Sequence, residues 1–591
     1  MNTGLLYKAD AEGARILWLL TVQWAGHTIR IADDEVDVQT DAGDWLHYED
    51  GLGTLAVEEE ITLGGDAGGL LSVPLEVAFP ALVNVPLLVA RGHRLSTARG
   101  ELARWVEGTP WESRRRVVVG RFVKPSYRGA GAPIRTSLDE SLFADQSVTH
   151  ALTQRVIGAN WEHIDTVPIA QLGEYYPIVI GRPGFVSTDI ASSGWITGSG
   201  GTWIDARNIA VSGSNFAELR VLIAGHHVQA GSVYVNADDY TAGARVRVYN
   251  GFDDQGAAVA WLSWFAASIA PGAPEDDYDS GTYTYSFASG PIYGLGAAVL
   301  PFNLYTESRL YIGWRDEDDL SAGGLVVGGA LVRAAGPVLS YLLGMCASGV
   351  DRGAMAAVGP LLSRFNFDGV IDSSARVWDI LKREILPLLP VSLASGPSGY
   401  FVHVWRLDAT RADATLFIDT ASDPDIELLG DIEEEDEDQV NRIVIRYAFS
   451  YRTQTYTAEI VLGAAGDMPS EDASGSSFRV SPYCQASRDQ LGGEVRERVI
   501  ETAFVYETST AWAIAEFIAT AYALPARRVT WRLPEGSYIG ARRAAVALLS
   551  DEETFLEEEV ALVTGVVTDG SGWITVTTRV VDQPGKLYRG A

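Results

Sequence analysis

The chain has 591 residues, 47% apolar, 21% charged and 10% aromatic, a globular balance that excludes a disordered or fibrous protein. At roughly 100 to 200 residues per domain its length implies three to five domains, and 61 Gly, 24 Pro and 16 Trp favour β structure with many turns. A formal charge of −32 argues against wrapping nucleic acid, which needs clustered Lys and Arg to displace counterions from phosphates.

Such an acidic surface serves solubility, or lines a conduit through which DNA slides without sticking. Cys346 and Cys484 are too few and too far apart for a disulfide framework or a thiolate metal site, and both are expected as free core residues. The opening MNTGLLYK has no basic region followed by an uncharged apolar stretch, so no secretory signal is expected. Neither apolar run suits a membrane span: 16–26 is too short, and 323–344 is interrupted by Arg333 and Pro337.

In chain order, RILWLLTVQWAGHTIRIAD predicts a hairpin about Ala25-Gly26, and LLSVPLEVAF (70–79) and RRRVVVGRFVKPSYRG (114–129) predict further strands. Between these, 96–111 reads as a helix turn or a long loop. The sum for residues 1–155 is a small barrel or sandwich. Residues 156–335 alternate short strand runs with Gly/Ser-rich connectors, the texture of an inserted β-sandwich, with an acidic surface loop at 273–285.

From 336 to 430 the periodicity is mixed α/β. Residues 373–390 predict a helix capped by Ser373 or Ser374 and stopped by Pro387 and Pro390, and 399–408 a strand. The acidic block 423–439 separates this mixed segment from the strands that follow it, and the last segment is 431–591. There, 440–449 and 455–463 suit a strand pair, and 508–525 a helix with Thr508 or Thr510 as cap and Pro525 as stop. The end is the clearest hairpin in the sequence, two long strands about Asp569-Gly570.

The sequence carries no phosphate-binding loop, dinucleotide fingerprint, HExxH or G-x-S-x-G elbow, and no ligand spacing for a catalytic metal or organic cofactor, so an enzyme is not expected. His226-His227 is a weak metal candidate, since neighbours on a strand point to opposite faces. Asp276, Asp277 and Asp279 could hold calcium but lack the glycine and terminal Glu of an EF-hand, which favours a solvated loop. Trp195, Trp203, Trp261, Trp264 and Trp314 are either core or a face for stacking on glycans or partner proteins.

The order of pieces resembles the tail-hub family of long-tailed bacteriophages. The N-terminal ILWLLTVQWAGHTIRIADDEVDV, LSVPLEVAF and ARWVEGTPWESRRRVVVGRFV are similar to the first β-domain of such tail-tip proteins, and QLGEYYPIVIGRPG (171–184) to their crossing linker. VNRIVIRYAF, SRDQLGGEVRERVIE, AWAIAEFIATAYALPARRVTWRLP and the closing hairpin follow the order of the second hub barrel.

The resemblance implies a mainly β protein with α+β parts: two small hub-type β-barrels (1–155 and 431–591) of similar fold lying together in space, an inserted sandwich and a mixed α/β domain. It further implies a homotrimer that joins a six-fold tail tube to a three-fold tip or baseplate and lets DNA pass, made in the host cytoplasm and resident in the virion. Its implied partners are the distal-tail or tail-tube ring, the tape-measure protein and a fibre or tip protein, with no specific nucleic-acid binding and no membrane span.

Two other readings stay open on sequence alone: a receptor- or carbohydrate-binding tail protein, and a glycan-cleaving enzyme with β-sandwich modules. The dense run Glu433, Glu434, Glu435, Asp436 and Glu437 must stay solvated, on the outer rim or on a channel wall.

Overall fold

The first hairpin joins β1 (Ile16–Trp24) to β2 (His27–Ala32) through Ala25 and Gly26, whose φ angles of 50° and 79° give the mirror-image turn that matches strand twist. The computed structural model describes most of residues 15–140 and 325–581, and between them 178–183, 204–205, 218–228, 232–235, 238–239, 246–252, 258–265 and 310–313. Next come β3 (Val36–Gln39), β4 (Trp45–Asp50), β5 (Val57–Glu60) and β6 (Ser72–Val77). Helix α1 (Val85–Ala90) starts where the Asn84 side chain accepts the Leu87 N–H at 3.0 Å, and β7 (Arg99–Val106), β8 (Arg115–Ser126) and β9 (Ile134–Asp139) follow.

Eight of these strands form one sheet in the order β3-β4-β2-β1-β7-β8-β9-β6. Backbone bonds just past β4 draw its ends together: Gly51 and Leu52 donate to the Ala32 carbonyl at 3.0 and 2.9 Å, and Ala78 donates to the Gly51 carbonyl at 2.7 Å. The sheet thus rolls around Trp18, Leu20, Ile31, Leu75, Leu102 and Phe122. Segment 96–111, expected as a helix turn or loop, is in fact mostly the central strand β7. Leu102, Ala103, Arg104, Trp105 and Val106 are all buried, so both faces are covered and the alternation that marks a half-exposed strand is lost.

Residues 178–331 carry β10 (Ile178–Ile180), β11 (Ile204–Asp205), β12 (Glu218–Ala224), β13 (Ser232–Val235), β14 (Asp238–Asp239), β15 (Val246–Phe252), β16 (Ala258–Phe265), β17 (Leu310–Gly313), β18 (Val326–Val327) and β19 (Ala330–Leu331). They form an antiparallel sheet β12-β16-β15 and a second sheet β11-β17-β13-β14.

The middle of the chain holds α2 (Ala335–Gly344), α3 (Arg352–Val358), β20 (Gly369–Ile371) and α4 (Val377–Ile380). It ends in the hairpin β21 (Val391–Gly396) and β22 (Gly399–Val404). Helix α4 runs on through a π turn over Leu381–Ile385 and a 3-10 turn over Leu386–Leu388, the register changing on approach to Pro387, which has no N–H to give. The expected cap is corrected: Arg376 occupies the N-cap position without a side-chain bond, while Ser373 and Ser374 lie outside the described residues.

The last segment holds β23 (Leu416–Asp419), β24 (Glu427–Leu428), β25 (Glu433–Glu435), β26 (Arg442–Ser450), β27 (Thr455–Gly463), β28 (Phe478–Val480), α5 (Pro482–Gln490), β29 (Glu497–Glu501) and α6 (Thr508–Tyr522). After these come β30 (Ala526–Pro534), α7 (Glu535–Tyr538), β31 (Val546–Asp551), β32 (Leu556–Thr568) and β33 (Trp573–Val580). The sheet β28-β27-β26-β29 carries α6, whose Trp512, Ile514, Phe517 and Ile518 enter a core shared with α2, α4, β21 and β22. Neither expected threonine caps α6. The Thr508 hydroxyl lies 2.9 Å from the Tyr447 hydroxyl, and that of Thr510 accepts the Asn366 N–H at 3.2 Å, so both side chains are spent on tertiary contacts.

The remaining strands form a second large sheet, β23-β31-β32-β33-β30-β24. It repeats a unit of the first. In each, a strand (β6, β30) leads through a short helix (α1, α7) into a three-strand meander (β7-β8-β9, β31-β32-β33), and the leading strand pairs antiparallel with the meander's last strand. The middle strand bulges at the same place in both, with Lys124 and Pro125 facing Thr136, and Thr564 and Gly565 facing Thr577. A further bulge on its other neighbour lies by Val117 in one and by Glu558 in the other. Bulges bend a strand and increase its twist, which lets a sheet roll up.

Candidate functional site

The two large sheets meet in a seam built from β5. Val57 is buried in the N-terminal core, yet its strand pairs with the C-terminal sheet: Val57 lies opposite Thr568, Glu58 opposite Val567, Glu59 opposite Val566 and Glu60 opposite Gly565.

Two ion pairs of opposite sense bracket this ladder. Arg104 of β7 donates from Nε and Nη2 to the two carboxylate oxygens of Glu535 at 2.7 Å each, and from Nη1 to the Ile16 carbonyl at 3.3 Å. Its guanidinium stacks 4.5 Å above the Trp18 ring, and the two charged side chains are only 3% and 2% exposed. In return, Arg543 Nη2 lies 3.9 Å from Glu140 Oε2, again with both side chains buried. A buried bidentate pair gains little net stability but fixes one relative orientation, because misalignment strands a desolvated charge. Sequence reasoning missed these four residues. Their signal was a lone charge at the edge of an apolar run, as in LARWV for Arg104 and WRLPE for Glu535.

The acidic run begins on this second sheet. Glu433 and Glu434 are exposed and, with Glu435, form β25, which pairs with β30: Glu433 opposite Arg528, Glu434 opposite Arg527, Glu435 opposite Ala526. Asp436 and Glu437 lie outside the described residues, as do Trp195, Trp203, Trp314, Cys346, Asp276, Asp277 and Asp279. Trp261 and Trp264 stand on β16, opposite Leu222 and Leu219 of β12. Cys484 is buried and free, and burial pushes its thiol up to about 11.

His226 has a structural role. It sits in a bend after β12, 5% exposed, where Nε2 accepts the Val179 N–H at 2.9 Å and Nδ1 donates to the His227 carbonyl at 2.9 Å. Burial holds its pKa down at about 4, and a second ring proton would face the Val179 N–H. It thereby ties the bend after β12 to β10, which pairs with β20 of the middle segment.

A cavity of about 470 Å³ opens beside α6, lined by Arg364, Phe365, Trp405, Arg406, Arg479 and Phe517 among others. Its polar groups have structural partners: Arg364 reaches Glu516 at 3.0 Å, Arg406 reaches Asp408 at 3.0 Å, and Ser481 caps α5 by accepting the Cys484 N–H at 3.4 Å. No group of three His, Cys, Asp or Glu among the described residues could hold a metal ion. No helix among them is long and apolar enough to cross a membrane.

No family model matches the sequence and no curated protein matches it. Solved structures to which the chain is similar include a tail protein from Neisseria meningitidis MC58, at 8% identity and a TM-score of 0.33, covering 95% of this chain and 96% of that one. Prophage tail protein gp18 from Listeria monocytogenes EGD-e is another, at 6% identity and a TM-score of 0.29, with 92% and 94% covered. A chain from the virion of a native gene transfer agent particle is similar at 14% identity and a TM-score of 0.19, over 44% of this chain and 77% of that one.

Two outcomes follow from the charges described. Arg104→Ala or Glu535→Ala, each leaving one buried charge alone, is expected to cost about 3 to 5 kcal/mol in urea titrations, while the double replacement Arg104→Met with Glu535→Leu costs far less. Equal losses from single and double variants would refute the pairing. For His226, the unfolded chain takes up a proton below about pH 6.5 that the folded chain refuses until about pH 4, so its contribution is present above that window and lost as pH falls through it. His403 is depressed alike, by burial and then by Arg543 and Arg542. Proteolysis near 178–183 should therefore accelerate from pH 6.5 to 4, and in His226→Leu that acceleration should be weaker; an unchanged pH response in the variant would rule His226 out.

Proposed function

We propose that the chain is a structural protein of a bacteriophage virion, the hub of a tail tip or baseplate, and not an enzyme. The observation that carries this reading is the repeated unit: the same leading strand, helix and bulged meander occurs twice in one chain, and the copies are seamed by β5 and two buried ion pairs. Three such chains around an axis present six quasi-equivalent units, which matches a six-fold tube to a three-fold tip without an adaptor. Under this reading the repeats face the distal-tail or tail-tube ring and the tape-measure protein. The segment rooted at β10 projects toward fibres or the host surface, where Trp261 and Trp264 on β16 would make glycan or partner contacts.

The acidic run supplies a lumen lining in this assembly. Like charges on a channel wall repel passing DNA at separations within a Debye length of about 8 Å at physiological salt, so the genome does not adhere. Class averages of the purified chain are expected to show three-fold rings, and its mass in solution three copies; a strictly monomeric chain at assembly concentration would defeat the hub reading. In particles, replacing Glu433, Glu434, Glu435, Asp436 and Glu437 by lysine is expected to slow genome ejection without preventing tail assembly, and an unchanged ejection rate would remove them from the lumen.

A further inference from the structure

Charge is segregated along the N-terminal segment. Between Arg30 and Arg91 the sequence has no Lys or Arg, and between Glu76 and Glu101 it has no Asp or Glu. The fold turns these stretches into exposed faces on two different elements, the β3–β4 hairpin and the loop that joins α1 to β7. Each carries one large apolar side chain in solvent, Trp45 at 66% exposure on the hairpin and Leu87 at 45% on α1.

On the hairpin, Asp37 lies opposite His47 and Gln39 opposite Trp45, while Val36, Val38 and Tyr48 turn the other way into a small core with Leu17, Leu19 and Trp105. The outward face is therefore Trp45 set among Glu35, Asp37, Gln39 and His47. His47 Nδ1 lies 2.8 Å from Asp37 Oδ1 and its Nε2 3.8 Å from Glu35 Oε1, so one imidazole faces two carboxylates and the face is acidic even with that ring protonated. On the loop, Arg91, His93, Arg94 and Arg99 are all exposed. The loop is held in shape: the His93 N–H donates to the Leu88 carbonyl at 3.0 Å, and the Arg94 carbonyl accepts Trp24 Nε1 at 3.2 Å and the Thr97 hydroxyl at 2.7 Å. Leu95 and Ala98 anchor it in the N-terminal core. Leu87 and Arg91 are four residues apart at the end of α1 and so share a face. An indole flanked by carboxylates suits guanidinium groups, whose charge the carboxylates pair and whose plane the ring stacks on.

We infer that the β3–β4 hairpin of one copy docks on the α1–β7 loop of a second copy of this chain, with Trp45 laid against Leu87 and Arg91, and Glu35 and Asp37 facing the loop arginines. Within one copy both faces stand in solvent, so the contact is one between copies. Two chains of formal charge −32 repel each other on average, and a basic loop on such a chain selects the one approach in which an acidic face is attracted. The two surfaces differ, so the contact is head-to-tail: each copy gives one hairpin and receives one, and a three-fold ring uses every face. The inference rests on the trimeric reading and goes beyond it by naming the contact.

The test reverses charges at exposed positions, Glu35→Lys with Asp37→Lys on the hairpin and Arg91→Glu with Arg94→Glu on the loop, and reads copy number from the mass in solution over a dilution series. Each reversed pair alone is expected to weaken three-copy assembly at least about ten-fold, and Trp45→Ala to weaken it with no change of charge. All four reversals in one chain make the hairpin basic and the loop acidic, and are expected to restore assembly. Three-copy particles that survive dilution like the parent in either reversed pair would overturn this contact and leave the trimer standing. So would a four-fold variant that melts like the parent yet fails to regain three copies. A parent chain that stays at monomer mass would overturn the trimeric reading and this contact with it.

Discussion

The architecture depends on one continuous hydrogen-bonded ladder made from both ends of the chain. Where β5 pairs with β32, the backbone of residues 57–60 satisfies an edge of the sheet that residues 565–568 would otherwise expose to any passing strand. The ladder alone is generic, since any extended segment satisfies it. Specificity comes from Arg104 and Glu535, which are 431 residues apart and nearly without solvent. A shift of register would leave a guanidinium or a carboxylate desolvated and unpaired, at a cost comparable to a large share of a domain's whole stability. The seam is therefore rigid for electrostatic reasons although backbone bonds and apolar contacts form most of it.

Rolled sheets impose a second constraint, and both repeats meet it with the same device. The middle strand of each meander is long and gains an extra residue on either side, with Lys124 and Glu558 in the left-handed region at φ 49° and 54°. Neither is glycine, so each position stores some strain that the surrounding ladders must overcome. The bulges set where β8 and β32 bend, and so where the last residues of each strand emerge beyond their first neighbour. That emergence creates the landing edge used by β5.

Much of this was legible in the sequence and some was not, for physical reasons. Amphipathic elements with turn signals, such as the β1–β2 hairpin, α6 and the β32–β33 hairpin, were readable because one covered face imprints a period. Strand β7 was not, since burial on both faces erases the alternation and the proline and glycine around it imitate a loop. The cap of α6 failed because tertiary contacts claimed Thr508 and Thr510, a competition no local pattern records. The clasp residues were hidden for the same reason: a buried charge looks like a surface charge until its partner, hundreds of residues away, is known. The acidic run was visible at once, but the pairing of its first three residues with β30 was not.

The segment that follows β10 leaves and rejoins the rest of the chain at neighbouring points. The chain departs after β10 and returns at Leu325, and these points are adjacent: Leu325 donates to the Val179 carbonyl at 2.7 Å, and Gly181 donates to the Val332 carbonyl at 3.0 Å. Behind them Arg333 grips Asp368 through Nε at 2.7 Å and Nη2 at 2.9 Å, and Asp368 also accepts the Arg182 N–H at 2.7 Å. With both ends pinned by a buried charge network, lengthening what lies between adds only the slowly growing entropy of loop closure, about 0.6 kcal/mol per doubling. Among the described residues, neither β5 nor the Arg104–Glu535 pair takes part in this junction. A short two-stranded clamp, β10 with β20, and one buried aspartate, Asp368, thus close the junction at which this segment leaves and rejoins the chain.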